Sequence, residues 1–269
     1  MIWRALGLER DPCGPVTDPL LLWDAPGWAG ALRRAAAALE ACRGVWVRGP
    51  AGAGRQTFVE VAAADAAARG MPVLWVAREP RDAGDFLDTL LELAGVSPGE
   101  GDAAARAVRL YGELLEAFCE RGPSVLGVSA RADRDDVRDE WAALASLRVA
   151  GCPIVLPLLW GEGPPPMEPL EEIGLPAWEA RALRALLEHR LEAAGASGLV
   201  SAEALSGIAE SARGPGEAIG LLRVELARVL FRGTGSPGGK REPVLDPGEL
   251  SEVEALLSSL DGEPAADEN

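Results

Sequence analysis

A short apolar run, Gly44-Val45-Trp46-Val47-Arg48, breaks at a turn with glycine at positions 49, 52 and 54, then reopens as an alanine-rich helical stretch through about residue 69. A buried strand that hands over to a helix through a glycine-rich turn is half of a βαβ unit. Such units stack as a parallel sheet with helices on its faces. The alternation continues. Met71-Pro72-Val73-Leu74-Trp75-Val76, Ser124-Val125-Leu126-Gly127-Val128 and Pro153-Ile154-Val155-Leu156 read as further buried strands. Residues 29–41, 83–94, 102–121 and 135–149 read as helices set before and between them. The expected fold is α/β with a doubly wound parallel sheet.

After Gly161-Glu162-Gly163-Pro164-Pro165-Pro166 only helical patterns remain, over 178–194, 201–212 and 216–231. With 269 residues, 48% of them apolar, the chain can bury one large domain and a smaller one. The expected division is an α/β core at 1–163, a helical lid at 164–232, a Gly/Pro-rich linker at 233–248, and a short amphipathic helix with an acidic tail at 249–269. In that last segment Leu250, Val253, Leu256, Leu257 and Leu260 recur at helical spacing between acidic residues. There is no internal repeat.

The turn reads Gly49-Pro50-Ala51-Gly52-Ala53-Gly54-Arg55-Gln56. A phosphate-binding loop reads GxxxxGK[ST]: backbone N–H groups cradle phosphate, the lysine reaches the β- and γ-phosphates, and the hydroxyl holds magnesium. Here strand, glycines and helix are in place. The lysine position holds Arg55, however, and the hydroxyl position holds Gln56, with Thr57 one step late. A planar guanidinium is no substitute for a compact ammonium. Taken alone, the loop is equally a worn phosphate site and an ordinary glycine-rich turn.

Among 26 basic residues the single lysine is Lys240, so no other lysine could serve that loop. A formal charge of −16 argues against nucleic acid as a partner, because phosphate neutralisation needs a surplus of Lys and Arg. The four cysteines, Cys13, Cys42, Cys119 and Cys152, form no CxxC pair and stand with one histidine, His189, which leaves no zinc-ligand set. No metal site is expected. The N-terminus lacks a signal-peptide layout and no apolar run approaches the ~20 residues that span a bilayer. The expectation is a cytoplasmic protein without membrane insertion.

Gly7-Leu8, Asp11-Pro12, Asp18-Pro19 and Leu32, followed by the strand and loop, resemble the opening of ExeA/GspA-type AAA+ ATPases. The resemblance continues through Glu188-His189-Arg190-Leu191-Glu192-Ala193-Ala194-Gly195 and into Ala202-Glu203-Ala204-Leu205 and Ile208, covering about residues 1–232. It implies a P-loop AAA+ core with a C-terminal helical lid. It also exposes departures. The family's magnesium-binding Asp and water-activating Glu match Val128 and Ser129, and neither can do metal or acid–base work. The lid arginine matches Glu217, and the strand that carries a polar sensor ends at Pro157-Leu158-Leu159-Trp160. The nearby Asp133, Asp135 and Asp136 read as an acidic helix start.

What the resemblance then implies is a catalytically inactive scaffold or adaptor that works through protein partners, such as an active AAA+ subunit or envelope-assembly machinery. No catalytic residue is expected. Gly49, Gly52, Gly54, Arg55, Gln56 and Thr57 form a vestigial nucleotide loop, with no cofactor required and weak ATP or ADP binding left open. The alternative is a divergent ATPase that uses Arg55 in place of lysine. A hydrolase based on His189 lacks a G-x-S-x-G serine. The eight tryptophans read as packing residues, with Trp23 and Trp28 near the resembled family's adenine-side entry segment.

Overall fold

The apolar runs assemble into one five-stranded parallel sheet in the computed structural model, which describes residues 2–14, 27–78, 80–128, 135–161, 165, 167 and 169–234. The chain separates into two compact units: Pro26–Ala177, and Met1–Ala25 together with Trp178–Asn269. Helix α1 (Ile2–Ala5) opens the second of these. The α/β unit begins with α2 (Trp28–Glu40), β1 (Gly44–Arg48), α3 (Arg55–Ala68) and β2 (Val73–Val76). It continues through α4 (Ala83–Leu93), α5 (Ala103–Arg121), β3 (Ser124–Val128) and α6 (Asp135–Ser146). A two-stranded hairpin, β4 (Arg148–Val149) and β5 (Cys152–Pro153), precedes β6 (Val155–Trp160) and β7 (Leu170–Gly174).

The strand order is β2-β3-β6-β1-β7. Alternation along the strands assigns the faces. Trp46 and Leu126 join Phe86, Leu90, Leu110, Leu114 and Trp141 of α4, α5 and α6 in one buried cluster. Val45 and Val47 point the other way, toward the side where α2 and α3 pack and where Trp28 meets Phe58 edge-on at 5.5 Å between ring centroids. Buried Ala62, Ala63 and Ala66 let α3 lie close to the strands. Asp82 and Asp102 accept hydrogen bonds from Asp85 N and Ala105 N, fixing where α4 and α5 begin.

Several expectations need correction. First, the region beyond residue 163 is not helical throughout, because β7 pairs in parallel with β1. Its sequence, Leu170-Glu171-Glu172-Ile173-Gly174, buries only Ile173 fully and carries two carboxylates; that suits a sheet edge but hides the strand from a hydrophobicity reading. Second, the fourth expected strand, 153–156, actually runs through Trp160, with Pro157 inside a central strand. A proline there is tolerated because Gly44 faces it: a Cβ on residue 44 would lie 2.8 Å from Pro157 Cδ. The expected helix 135–149 stops at Ser146, where the hairpin turns at Ala150 and Gly151, both with positive φ.

Third, the N-terminal segment belongs with the helices and not with the sheet. The helical unit holds α7 (Ala180–Ala193), α8 (Ala202–Ser211) and α9 (Pro215–Thr234). Leu183, Leu187, Leu191, Leu205, Leu222 and Leu226 form its core together with Cys13, and Leu6 and Leu8 pack against it. Arg190, only 1% exposed, donates to the carbonyls of Pro12 (3.1 Å) and Gly14 (2.9 Å), while Arg223 donates to that of Cys13 (3.2 Å). Three successive carbonyls of an irregular segment thereby find donors inside the unit. Helix α9 also continues through residues 233 and 234, where the linker was expected to begin. The rest of that linker, the amphipathic segment 249–269, Lys240, Asp18-Pro19 and Trp23 lie outside the described residues. Among the described residues no helix is long and apolar enough to cross a membrane.

Candidate functional site

Strand β1 delivers the glycine-rich loop to the carboxyl end of the sheet, between β6 and β7. Its glycines have separate physical causes. A Cβ on Gly49 would lie 2.9 Å from the Leu175 carbonyl oxygen and 3.0 Å from Ala53 Cβ, so only glycine fits. Gly52 and Gly54 have φ of +77° and +80°, where a side chain is strained. Ala53 is buried, and its N–H donates to Pro50 O at 3.1 Å. Gly54 caps α3 without a side-chain hydrogen bond, so the helix begins with backbone donors and the positive end of its dipole at the loop. That backbone is the kind that receives an anion.

The side chains at the motif positions do something else. Arg55 is 7% exposed. Its Nη1 donates to Gly161 O at 3.1 Å, and its guanidinium carbon stands 5.3 Å from the centre of the Trp160 ring. The first turn of α3 is thereby tied to the end of β6. A planar guanidinium can donate in its plane and stack through its face at once; an ammonium cannot. Gln56 is exposed and donates from Nε2 to Glu60 Oε1 at 3.1 Å, one turn along its own helix. Thr57 is half buried. Gly161 is held in turn: its N–H donates to Val47 O at 3.2 Å, and the buried Trp46 ring covers the place a side chain would occupy.

The other positions singled out in the sequence are dispersed. Val128 ends β3 opposite Val76. Ser129, Ala130, Arg131 and Asp133 lie outside the described residues, while α6 does start at Asp135. Glu217 sits in the first turn of α9, where its Oε2 accepts from the backbone N–H of Arg213 at 2.8 Å, and a carboxylate is favoured at a helix N-terminus. His189 is half buried on α7. Among the described residues no cluster of three or more His, Cys, Asp or Glu could hold a metal ion. The partnership of Arg55 with Trp160 and Gly161 had no sequence signal, since no spacing relates residue 55 to residue 160.

Two titratable groups away from the loop are strongly shifted. Past the end of β2, Arg78 forks onto Asp85 with bonds of 2.6 and 2.7 Å, and Arg81 N–H adds a third at 2.8 Å. Together they hold the Asp85 carboxyl down at about 2. In the helical unit, burial and then Asp11 push the Cys13 thiol up to about 11, against the opposing pull of Arg223 and Arg190.

Known structures share this fold. The chain superposes on the Aeropyrum pernix ORC1 protein, solved in complex with DNA, with a TM-score of 0.62 and 18% identity over 88% of this chain and 68% of that one. Against Cdc6p from Pyrobaculum aerophilum the TM-score is 0.63, with 14% identity over 84% and 66% of the two chains. Against the A. pernix ORC2 protein in its ADP form it is 0.56, with 15% identity over 87% and 67%. At such identities the likeness defines the fold, and the fold is that of a P-loop AAA+ protein. No protein-family model and no curated protein sequence matches the chain.

Proposed function

We propose that this protein is a pseudo-ATPase, an AAA+-type fold kept as a scaffold or adaptor for protein partners. The carrying observation is Arg55, whose charge is engaged by the Gly161 carbonyl and the face of Trp160. Gln56 is bonded to Glu60, and Glu217 accepts from the Arg213 N–H just before its helix, so these three motif positions each have a structural occupation. The loop backbone suits an anion, but the side chains at positions 55 and 56 do not fit a magnesium nucleotide in this arrangement. The order of segments shared with ExeA/GspA-type ATPases supports descent from an active ancestor. It also points to envelope assembly or an active AAA+ subunit as the setting.

Titration calorimetry with ATP and magnesium, together with a phosphate-release assay, tests this reading. The expected outcome is no turnover. Micromolar binding with turnover that Arg55→Ala abolishes would establish the divergent-ATPase alternative. Heat without phosphate release would identify the nucleotide as a structural ligand. Because the A. pernix ORC1 protein was solved with DNA, the same preparation is titrated with duplex DNA at low salt. A charge of −16 leads to no binding there. A salt-sensitive shift would replace the protein partner with nucleic acid.

A further inference from the structure

At the end of the sheet opposite the glycine-rich loop, the starts of β2 and β3, the end of α4 and the second half of α5 border a groove of about 450 Å³. All of its lining belongs to the α/β unit, and residues 72–74, 93–95 and 113–124 are described without interruption. Leu74 and the exposed Leu93 give it apolar surface. Glu113, Glu116 and Glu120 follow one face of α5 and set three carboxylates against one cation, Arg121. None of these carboxylates has an ion-pair partner among the described residues. Helices α4 and α5 both end at the groove, so their last carbonyls and the negative ends of their dipoles deepen its potential.

The floor adds an independent sign. Ser124 faces the same side of β3 as Leu126, which lies in the buried cluster with α4 and α5. Its side chain therefore points to the groove side of the sheet, and it lines the groove while only 3% exposed. The Ser124 N–H donates to Ile154 O at 2.9 Å, but the hydroxyl has no hydrogen-bond partner among the described residues. A hydroxyl withdrawn from bulk water in this way has donor and acceptor capacity left for a ligand. Apolar surface, excess carboxylate and an unpartnered hydroxyl fit one chemistry, a guanidinium on an aliphatic stem. We propose that the groove receives an arginine side chain from a basic, leucine-bearing segment of a partner protein. Leu74 and Leu93 take the stem, and the five guanidinium donors are shared between the Ser124 hydroxyl and the α5 carboxylates. The partner-protein source extends the adaptor reading above, while the guanidinium chemistry rests on the groove alone.

Amide NMR on the full chain, titrated with acetyl-Leu-Arg-Leu-amide, tests this. The peptide should shift amides in 73–74, 93–95 and 113–124 and leave Gly52, Gly54 and Arg55 unmoved. Acetyl-Leu-Glu-Leu-amide and free arginine should bind at least about tenfold more weakly. Glu116→Gln/Glu120→Gln should weaken the arginine peptide about tenfold, and Ser124→Ala about threefold to tenfold. No shift at these amides with millimolar peptide overturns the proposal, as does unchanged affinity in the carboxylate variant. Equal affinity for free arginine also overturns it, by assigning the groove to a small free cation. Phosphate release reads the opposite end of the sheet: turnover there would end the pseudo-ATPase reading and leave this site standing, whereas absent shifts here leave that reading intact.

Discussion

An arginine at the mouth of a glycine-rich loop can satisfy its charge with an incoming anion or with the protein itself. Arg55 takes the second course, and mutation reads out the difference. Removing it leaves the Gly161 carbonyl without this donor and strips the Trp160 face of its cation. Arg55→Ala should therefore lower stability by about 2–4 kcal/mol, as a lost charged hydrogen bond plus a cation–π contact. Urea unfolding followed by tryptophan fluorescence would show it. Arg55→Lys should recover only part of this, since an ammonium cannot stack and donate together. A residue kept for phosphate would behave in reverse, with binding lost and stability nearly unchanged. Cys13 gives a second residue-scale test. Its thiol is raised to about 11, so at pH 8 it should resist alkylation while exposed Cys119 and Cys152 react. The raised value also means that this group's contribution to stability is complete below pH 9 and fades as the pH climbs toward 11.

At the scale of single elements, the helix starts are the most exposed to chemistry. Asp85 is held at about 2 by Arg78 and Arg81. A depressed carboxyl stabilises the fold above its unfolded value of 3.8 and loses that contribution as pH falls toward 2. Asp85→Asn should flatten the acid limb of the unfolding curve between pH 4 and 2, leaving pH 7 behaviour otherwise alike apart from a uniform offset. Strand β7 offers a packing test: Ile173→Ala, fully buried on the sheet edge, should cost about 2–4 kcal/mol in chemical denaturation. That strand also shows how far the sequence could be read. β1 and β3 announce themselves as continuous apolar runs because the sheet buries them, and β2, a half-buried edge strand, is legible because its own run is wholly apolar. β7 was invisible because Glu171 and Glu172 face Arg34, Arg43 and Arg48 at an edge, and their polarity reads as loop. The loop glycines were legible for the same local reason, since turn geometry is written in neighbouring residues. The role of Arg55 was not, because Trp160 and Gly161 are brought to it only by the pairing of β1 with β6.

For the molecule as a whole, the first fourteen residues matter more than their position suggests. Arg190→Met would leave the carbonyls of Pro12 and Gly14 without their shared donor inside the helical unit. The expected cost is about 2–4 kcal/mol. It should fall on the helical unit first, so hydrogen exchange should accelerate across α7–α9 before it does in β1 and β6. Equal acceleration in both units would mean that the two unfold as one.

The bond from Arg223 to the Cys13 carbonyl joins residues 210 positions apart. On a ribosome adding roughly 5–20 residues per second, the N-terminal segment emerges about 10–40 s before the helix that anchors it. Throughout that interval the sheet unit can complete itself, while Leu6, Leu8 and Cys13 have no core to enter. The newborn chain thus carries a sticky segment whose exposure is timed by translation, and the speed at which codons 14–223 are read sets how long chaperones have to guard it.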